Sequence, residues 1–414
     1  MAANQTYLAQ HWISDSRDCP NDNVAVVGIS GGGKSLSVEY PTMLHNTDAS
    51  IIANFGKSRE AYRMAAFYKR QGFQVYMINL DEPSLGDVFY DPLKDIASQD
   101  DITALSHKIV YSCLQNSRDD YWALKSLPLS DCLIDAALQV YQHPNMCDVL
   151  DFFDQLTASD YGTGVSAELR EIFEILKEND PESAAWRRFN AFDKLNTRSE
   201  RTGACIIDTL DAAYNTVFPE TVRKAIQTLP SFDFRQLGRE KTALFIICSP
   251  VKSSLNHYAN LIYDHGIEVL MEYAQTFEDG KLPVKVKLFF DDFGCTAPIQ
   301  SFPEYMSIFR SAGLSVMLLI QSESMLQSIY GMDKATLILN NCARYVYFPG
   351  GMDRVTCKSV SERMNMPLEE VMYAPVGHVF IMQSGHQPII SPRYEIFKDP
   401  SFRLLMAKNT ERSE

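Results

Sequence analysis

The chain is 414 residues long, 46% hydrophobic and 22% charged, with a formal net charge of −14. That length exceeds one ordinary core and predicts two domains, or one domain carrying a large insertion. The acidic balance excludes general polyanion binding by bulk charge, so any nucleic-acid contact needs a local basic surface.

Residues 1–22 read as a polar lead-in without the apolar core of a signal peptide. Asn23 to Gly28 (NVAVVG) is a β-branched run that stops at glycine, as a buried parallel strand does. Ser50 to Asn54 reads as a second strand and Gln74 to Leu80 as a third. Between them, Glu60 to Gln71 is an amphipathic helix with Ala61, Met64, Ala65 and Tyr68 on one face. This alternation predicts an α/β fold, a mostly parallel central sheet flanked by helices. From 106 to 230 strand-like runs vanish. Helical periodicity replaces them, as in Asp131 to Tyr141, Met146 to Gln155 and Ala167 to Lys177. This stretch reads as an inserted all-α domain. Strands return at 242–248, 284–290, 314–320, 343–348 and 378–382. The nucleotide-binding domain is thus expected in two sequence halves, 23–105 and 231–400, with a tail at 401–414.

Nine cysteines are scattered without a C-x-x-C pair and read as reduced thiols. The histidines show no ligand spacing, so no structural zinc is expected. The longest apolar runs, such as Ala243 to Cys248, are far short of the ~20 residues of a membrane helix. The expected location is cytoplasmic, with peripheral attachment to the membrane's inner face left open.

Gly28-Ile29-Ser30-Gly31-Gly32-Gly33-Lys34-Ser35 fits G-x-x-x-x-G-K-[ST] at every fixed position. Such a turn can arise by chance. Here it follows a buried strand and precedes a helix, the context that phosphate binding needs. Glycines let successive N–H groups point at phosphate oxygens, and the helix start favours the same anion. Lys34 would reach the terminal phosphates of ATP, Ser35 would hold Mg²⁺, and Gly28, Ser30 to Gly33 and Leu36 would complete the cradle. A hydrolase also needs carboxylates for the metal and the attacking water. Asp291 and Asp292, closing the apolar run Leu288 to Phe290, supply them. Asp291 is the expected metal ligand and Asp292 the expected catalytic carboxylate. Gln321 follows the strand LSVMLLI, where an amide can sense the attacking water, although a polar strand cap is the plain alternative. Arg310, on an expected helix from Tyr305 to Ser311, could serve a neighbouring subunit as an arginine finger. Arg344 is a weaker candidate for that role.

These residues resemble the type IV coupling proteins of the TraG/TraD group, in order, from about Asn23 to Pro392. The phosphate loop is followed by Tyr40-Pro41-Thr42-Met43-Leu44, like the family's proline-threonine-leucine-leucine stretch. Asp91-Pro92-Leu93 stands where members carry asparagine-proline-leucine, and Asn196 to Ser199 resembles their threonine-arginine-serine segment. The block from Asp291 to Gly331 resembles their most diagnostic stretch, with Arg310 on the finger position and Gln321 on the motif glutamine. The resemblance implies a RecA-like P-loop NTPase forming a hexameric ring. Such a ring hydrolyses ATP and drives single-stranded DNA, with its relaxase, toward a type IV secretion channel. Lys57 and Arg59 are possible DNA contacts, though solvated surface charges are the plainer reading.

Three departures bear on function. Members carry aspartate-glutamate where this chain has Asp291-Asp292. They carry aspartate-proline-lysine-glycine where it has Asn54-Phe55-Gly56-Lys57. They also begin with two membrane helices, which this sequence lacks, so it is expected either to dock through a partner or to be a cytosolic portion. A substrate receptor that binds nucleotide but scarcely hydrolyses it therefore stays open. An FtsK- or HerA-like DNA pump is disfavoured by the helical insertion.

Overall fold

The computed structural model describes residues 5–112, 120–157, 165–294 and 298–407. Eleven strands occur among them: β1 (Gln5–Ala9), β2 (Trp12–Asp15), β3 (Val24–Val27), β4 (Ser50–Phe55), β5 (Gln74–Asn79), β6 (Thr242–Ile247), β7 (Val286–Phe290), β8 (Leu314–Ile320), β9 (Arg344–Tyr347), β10 (His378–Gln383) and β11 (Ile389–Pro392). Nine form one sheet in the order β11-β10-β9-β3-β8-β7-β4-β6-β5. The run from β9 through β3, β8, β7 and β4 to β6 is parallel, and β10 and β11 extend it antiparallel. VAVV, TALFII and LSVMLLI are buried along their whole length, as expected of strands covered on both faces. All eight expected strands are present, within two residues at either end.

The chain forms two compact units. One holds residues up to Met77, Phe234–Val251 and the chain from Glu268 on. Its core packs β3, β4, β6 and β8 against Ala61, Met64, Ala65 and Tyr68 of the helix Ser58–Arg70. β1 and β2, within the expected lead-in, pair as an antiparallel hairpin. Arg344 ties that hairpin to the sheet. It is wholly buried, and its guanidinium donates to Ser14 Oγ, Asp15 O, Asn21 O and Asp22 Oδ1 at 2.8–3.3 Å. Arg344 is therefore a structural anchor and cannot reach into a neighbouring subunit. The helix expected over 305–311 is also different. It is broken into Phe302–Tyr305 and Phe309–Ala312, with Arg310 exposed on the second piece.

The other unit comprises Ile78–Asp233 and Lys252–Ile267. Tyr121–Val140 is its central helix, buried almost continuously from Leu129 to Ala137. Gln99–Ser112, Ala184–Arg198 and Glu200–Val217 pack around it. Asp91 is buried here. Its Oδ1 accepts from the Leu93 and Met146 amides at 3.2 and 3.1 Å, while its Oδ2 has no hydrogen-bond partner. Burial pushes this carboxyl up from 3.8 to about 6. A carboxyl with a raised folded-state pKa favours folding when protonated, and that stability is lost as pH rises through about 6. Asp91→Asn keeps the Oδ1 acceptor and removes the charge. It is expected to stabilise the protein by about 1–3 kcal/mol at pH 8, with the gain vanishing below pH 4. Urea melts at the two pH values check this, and a loss at pH 8 would show that the carboxylate is needed.

Among the described residues, no helix is long and apolar enough to cross a membrane.

Candidate active site

β3, β8, β7 and β4 are adjacent and parallel, so their C-terminal ends lie side by side. Each carries one part of the site, because the sequence places a loop or polar residue directly after each apolar run. β3 opens into the glycine loop. Gly28 donates its N–H to Ile320 O at 3.0 Å, and a Cβ there would lie 2.6 Å from the Phe348 Cβ; only glycine fits this approach. Gly33 has φ +92°, a left-handed conformation that favours glycine. The helical run that follows begins with a π-wound segment, Ser35–Glu39, closed by the Tyr40 N–H on Ser35 O. Pro41 follows and has no N–H of its own, which removes one ordinary i→i−4 bond of this turn.

Lys34 is buried, and its Nζ donates to Gly28 O at 2.7 Å and to Ile29 O at 3.3 Å. Ser35 Oγ donates to Asp291 Oδ2 at 3.2 Å, across 256 residues of sequence. Asp291 itself is clamped by Asn54 at the end of β4. Asn54 Oδ1 accepts the Asp291 N–H at 2.7 Å, and its Nδ2 donates to Asp291 O at 3.1 Å. Burial, then the neighbouring charge of Asp292, raises the Asp291 carboxyl, against the Ser35 bond. Asp292 sits at φ +52°, a left-handed conformation that aspartate tolerates better than most residues. Its Oδ1 accepts from Gln321 Nε2 at 3.1 Å.

Ser30 to Leu36, Asp291 and Asp292 border a cavity of about 520 Å³; Asn54 and Gln321 hold the two aspartates without lining it. Lys57 also lines it, with its amine 3.7 Å from Glu60. Arg59 is exposed on the same helix as Glu60. Arg310 is not brought to the cavity of its own chain. It precedes β8 and so lies toward the opposite ends of the parallel strands.

Four features escaped the sequence reading. Asn54 looked like a strand residue in a departing loop, although a polar side chain closing a buried strand was a usable signal. Glu39 is fully buried beneath the loop with Oε1 unpartnered. Burial, then the charges of Asp291 and Glu60, pushes its carboxyl well above the ordinary carboxylate range. Arg393, following β11, donates from Nη1 to Gly32 O at 2.7 Å, 361 residues away. No motif marks it. Phe397, Phe402, Leu405 and Met406 form an apolar wall of the cavity, the last three from the segment 401–414 that read as a tail.

The site fits a nucleotide and its metal. A glycine cradle and a buried amine suit phosphate oxygens, and the hydroxyl–carboxylate pair of Ser35 and Asp291 is the hard oxygen set that Mg²⁺ takes.

Residues 7–366 match the family described as Type IV secretory system Conjugative DNA transfer. No curated protein sequence matches the chain significantly. Among solved structures, it is similar to the bacterial conjugative coupling protein TrwBdeltaN70 in an unbound form. Identity is 16% over 92% of this chain and 87% of that chain, with a TM-score of 0.62. The plasmid coupling protein TrwB in complex with ADP and Mg²⁺ matches at 17% identity, 92% and 88% coverage and a TM-score of 0.60. VirB4 of Thermoanaerobacter pseudethanolicus matches at 11% identity, 97% and 99% coverage and a TM-score of 0.51. At these identities the likeness is one of fold, a RecA-like sheet with an added helical domain.

Proposed function

Because the chain belongs to the conjugative DNA transfer family of type IV secretory systems, we propose that it is the ATP-hydrolysing coupling protein that moves single-stranded DNA, with its relaxase, toward the secretion channel. The observation that carries this reading is the Ser35–Asp291 hydrogen bond of 3.2 Å. It joins the phosphate loop to the acidic strand end at one place. In this reading Lys34 turns its amine from the Gly28 and Ile29 carbonyls to the terminal phosphates. Ser35 and Asp291 hold Mg²⁺, which when bound neutralises charge on the phosphates. Asn54 keeps Asp291 in position. Asp292 and Gln321, already hydrogen-bonded, orient the attacking water. Arg393 restrains the loop from within the chain. Arg310, exposed and away from the cavity, serves the site of a neighbouring copy in a hexamer. The helical unit receives the DNA–relaxase substrate.

A second reading, a receptor that hydrolyses ATP only weakly, is favoured by one observation. Asp292 is one methylene shorter than the family's glutamate, and its carboxylate is held back by Gln321. Displacement of a reacting group by about 1 Å can cost ~100-fold in rate. Asp292→Glu extends the carboxylate toward the phosphates. Phosphate release with and without single-stranded DNA should be equal to or up to about tenfold above wild type. The melting temperature should fall slightly, because glutamate tolerates the left-handed backbone less well. Wild-type protein with no DNA-stimulated release, rescued by Asp292→Glu, would favour the receptor. A large loss of rate in Asp292→Glu would show that the shorter carboxylate is the one this site is built around.

A further inference from the structure

A second cavity, of about 490 Å³, lies at the other end of the parallel strands from the phosphate loop. It sits ahead of β3 and β9 and beyond the end of β10, bordered by Asn21, Asn340, Tyr345, Arg363, Gln383 and His386, and among the described residues no aspartate or glutamate lines it. In a chain with a net charge of −14, an acid-free concavity is a local exception. Its volume lies within the range of pockets that hold a small-molecule-sized group.

The donors in it are fixed. The Arg363 guanidinium lies 4.9 Å over the Tyr345 ring, and its Nε donates to Ser359 Oγ at 3.2 Å. Among the described residues no ion pair holds Arg363, although the buried Glu323 carboxyl, which accepts from Tyr345 and Ser359, lies close enough to interact with its charge. Gln383 is buried, and its Oε1 accepts the Trp12 indole N–H at 3.0 Å. That bond leaves the amide NH₂ as the group Gln383 presents. His386 is exposed and meets Trp12 edge to face at 5.8 Å. A stacked guanidinium fork beside neutral amide donors suits a planar or tetrahedral oxyanion. One arginine among amides and rings recognises the backbone of a nucleic acid and not its sequence.

We propose that this cavity is a second anion site, which holds one phosphate of the single-stranded DNA backbone through Arg363 and Gln383, remote from the nucleotide. The inference rests on the DNA-transfer reading above. The favoured occupant is DNA over an acidic peptide because rings border the donors and the family handles DNA.

The test is fluorescence anisotropy of a labelled 20-mer of thymidine on the full chain, across a salt series. Arg363→Ala should weaken binding about 5- to 20-fold and lower the salt slope by about 0.7, the value for one single-strand phosphate. Arg363→Lys should lose less. Gln383→Glu, which keeps the acceptor for Trp12 but places a carboxylate in the cavity, should lose at least as much as Arg363→Ala. Affinity for fluorescent ADP should be unchanged in all three. Arg363→Ala with unaltered oligonucleotide affinity and slope, while wild type binds, overturns the pocket and spares the functional reading. No wild-type binding at about 50 mM salt overturns both. An octaglutamate peptide that binds in an Arg363-dependent way while the oligonucleotide does not reassigns the cavity to a protein partner and overturns the proposal. Competition by inorganic phosphate or AMP as strong as that by the oligomer reassigns it to a free anion, with the same consequence.

Discussion

Lys34→Ala is expected to lower ATP hydrolysis by at least about 100-fold, with or without single-stranded DNA, and to weaken nucleotide binding. A single preorganised donor aimed at developing charge is worth about 3–4 kcal/mol in a water-excluded site, and Lys34 carries a full charge besides. It is 5% exposed and already held at the loop by two carbonyls. Nothing else brings a positive group to that side of the cavity floor from within the loop. Arg393 touches the loop's outer carbonyl at Gly32 and cannot replace it. Removing the amine takes a donor from the Gly28 and Ile29 carbonyls but also relieves a buried charge, so the two effects oppose and the melting temperature should change by no more than about 2–3 °C. Phosphate release, nucleotide titration and a thermal melt on the same preparation separate these effects. Activity that survives Lys34→Ala in a folded protein would defeat the motor reading.

The largest expected effect on stability is at Arg344. Arg344→Ala is expected to cost about 3–5 kcal/mol, the range for breaking a buried ion pair from one side. The cost has three sources: the Asp22 carboxylate, the Asp15 and Asn21 carbonyls, and the void left by a wholly buried side chain. With about 2–4 °C per kcal/mol for a unit of this size, the melting temperature should fall by roughly 10 °C. The β1–β2 hairpin should become the first segment to exchange its amide protons. Substitution without loss would mean that the hairpin contributes nothing to the fold. Arg344→Lys should recover little, because one ammonium cannot serve four acceptors laid out for a planar fork.

That residue also marks where reading the sequence ran out. β3, β6, β7 and β8 were legible because each is a largely apolar run, interrupted only by Thr242, Lys287 and Ser315, a pattern set by burial on both faces. The phosphate loop and the Asp291-Asp292 pair were legible because their chemistry admits few residue types. The hairpin was not. Its turn is Gln10-His11, without the asparagine or glycine that usually betrays such turns. With the hairpin unseen, Arg344 looked like a charged residue on a strand with work to do elsewhere. β11 is only four residues and ends at proline, too short to stand out. The helix around Arg310 breaks at 306–308, where the Ser307 and Ile308 amides bond to carbonyls three residues back and Ser307 Oγ donates to Glu304 O, although Phe302, Met306, Phe309 and Ala312 keep a helical spacing into the core. Asn54, Glu39 and Arg393 act through distance in space across long stretches of chain, and a linear pattern carries no trace of that.

The strand order has one further consequence. β3 is made well before both strands that flank it: Asn23 just ahead of it accepts from the backbone of Val316, 293 residues further on, and β9 on its other side is made later still. A ribosome adds about 5–20 residues per second, so the phosphate-loop strand waits on the order of half a minute for both of its neighbours. Until then a bare VAVV segment is open to mispairing, and no nucleotide can help it fold. Successful production of this protein should therefore depend more on holding the nascent chain apart from its copies than on the final stability of the sheet.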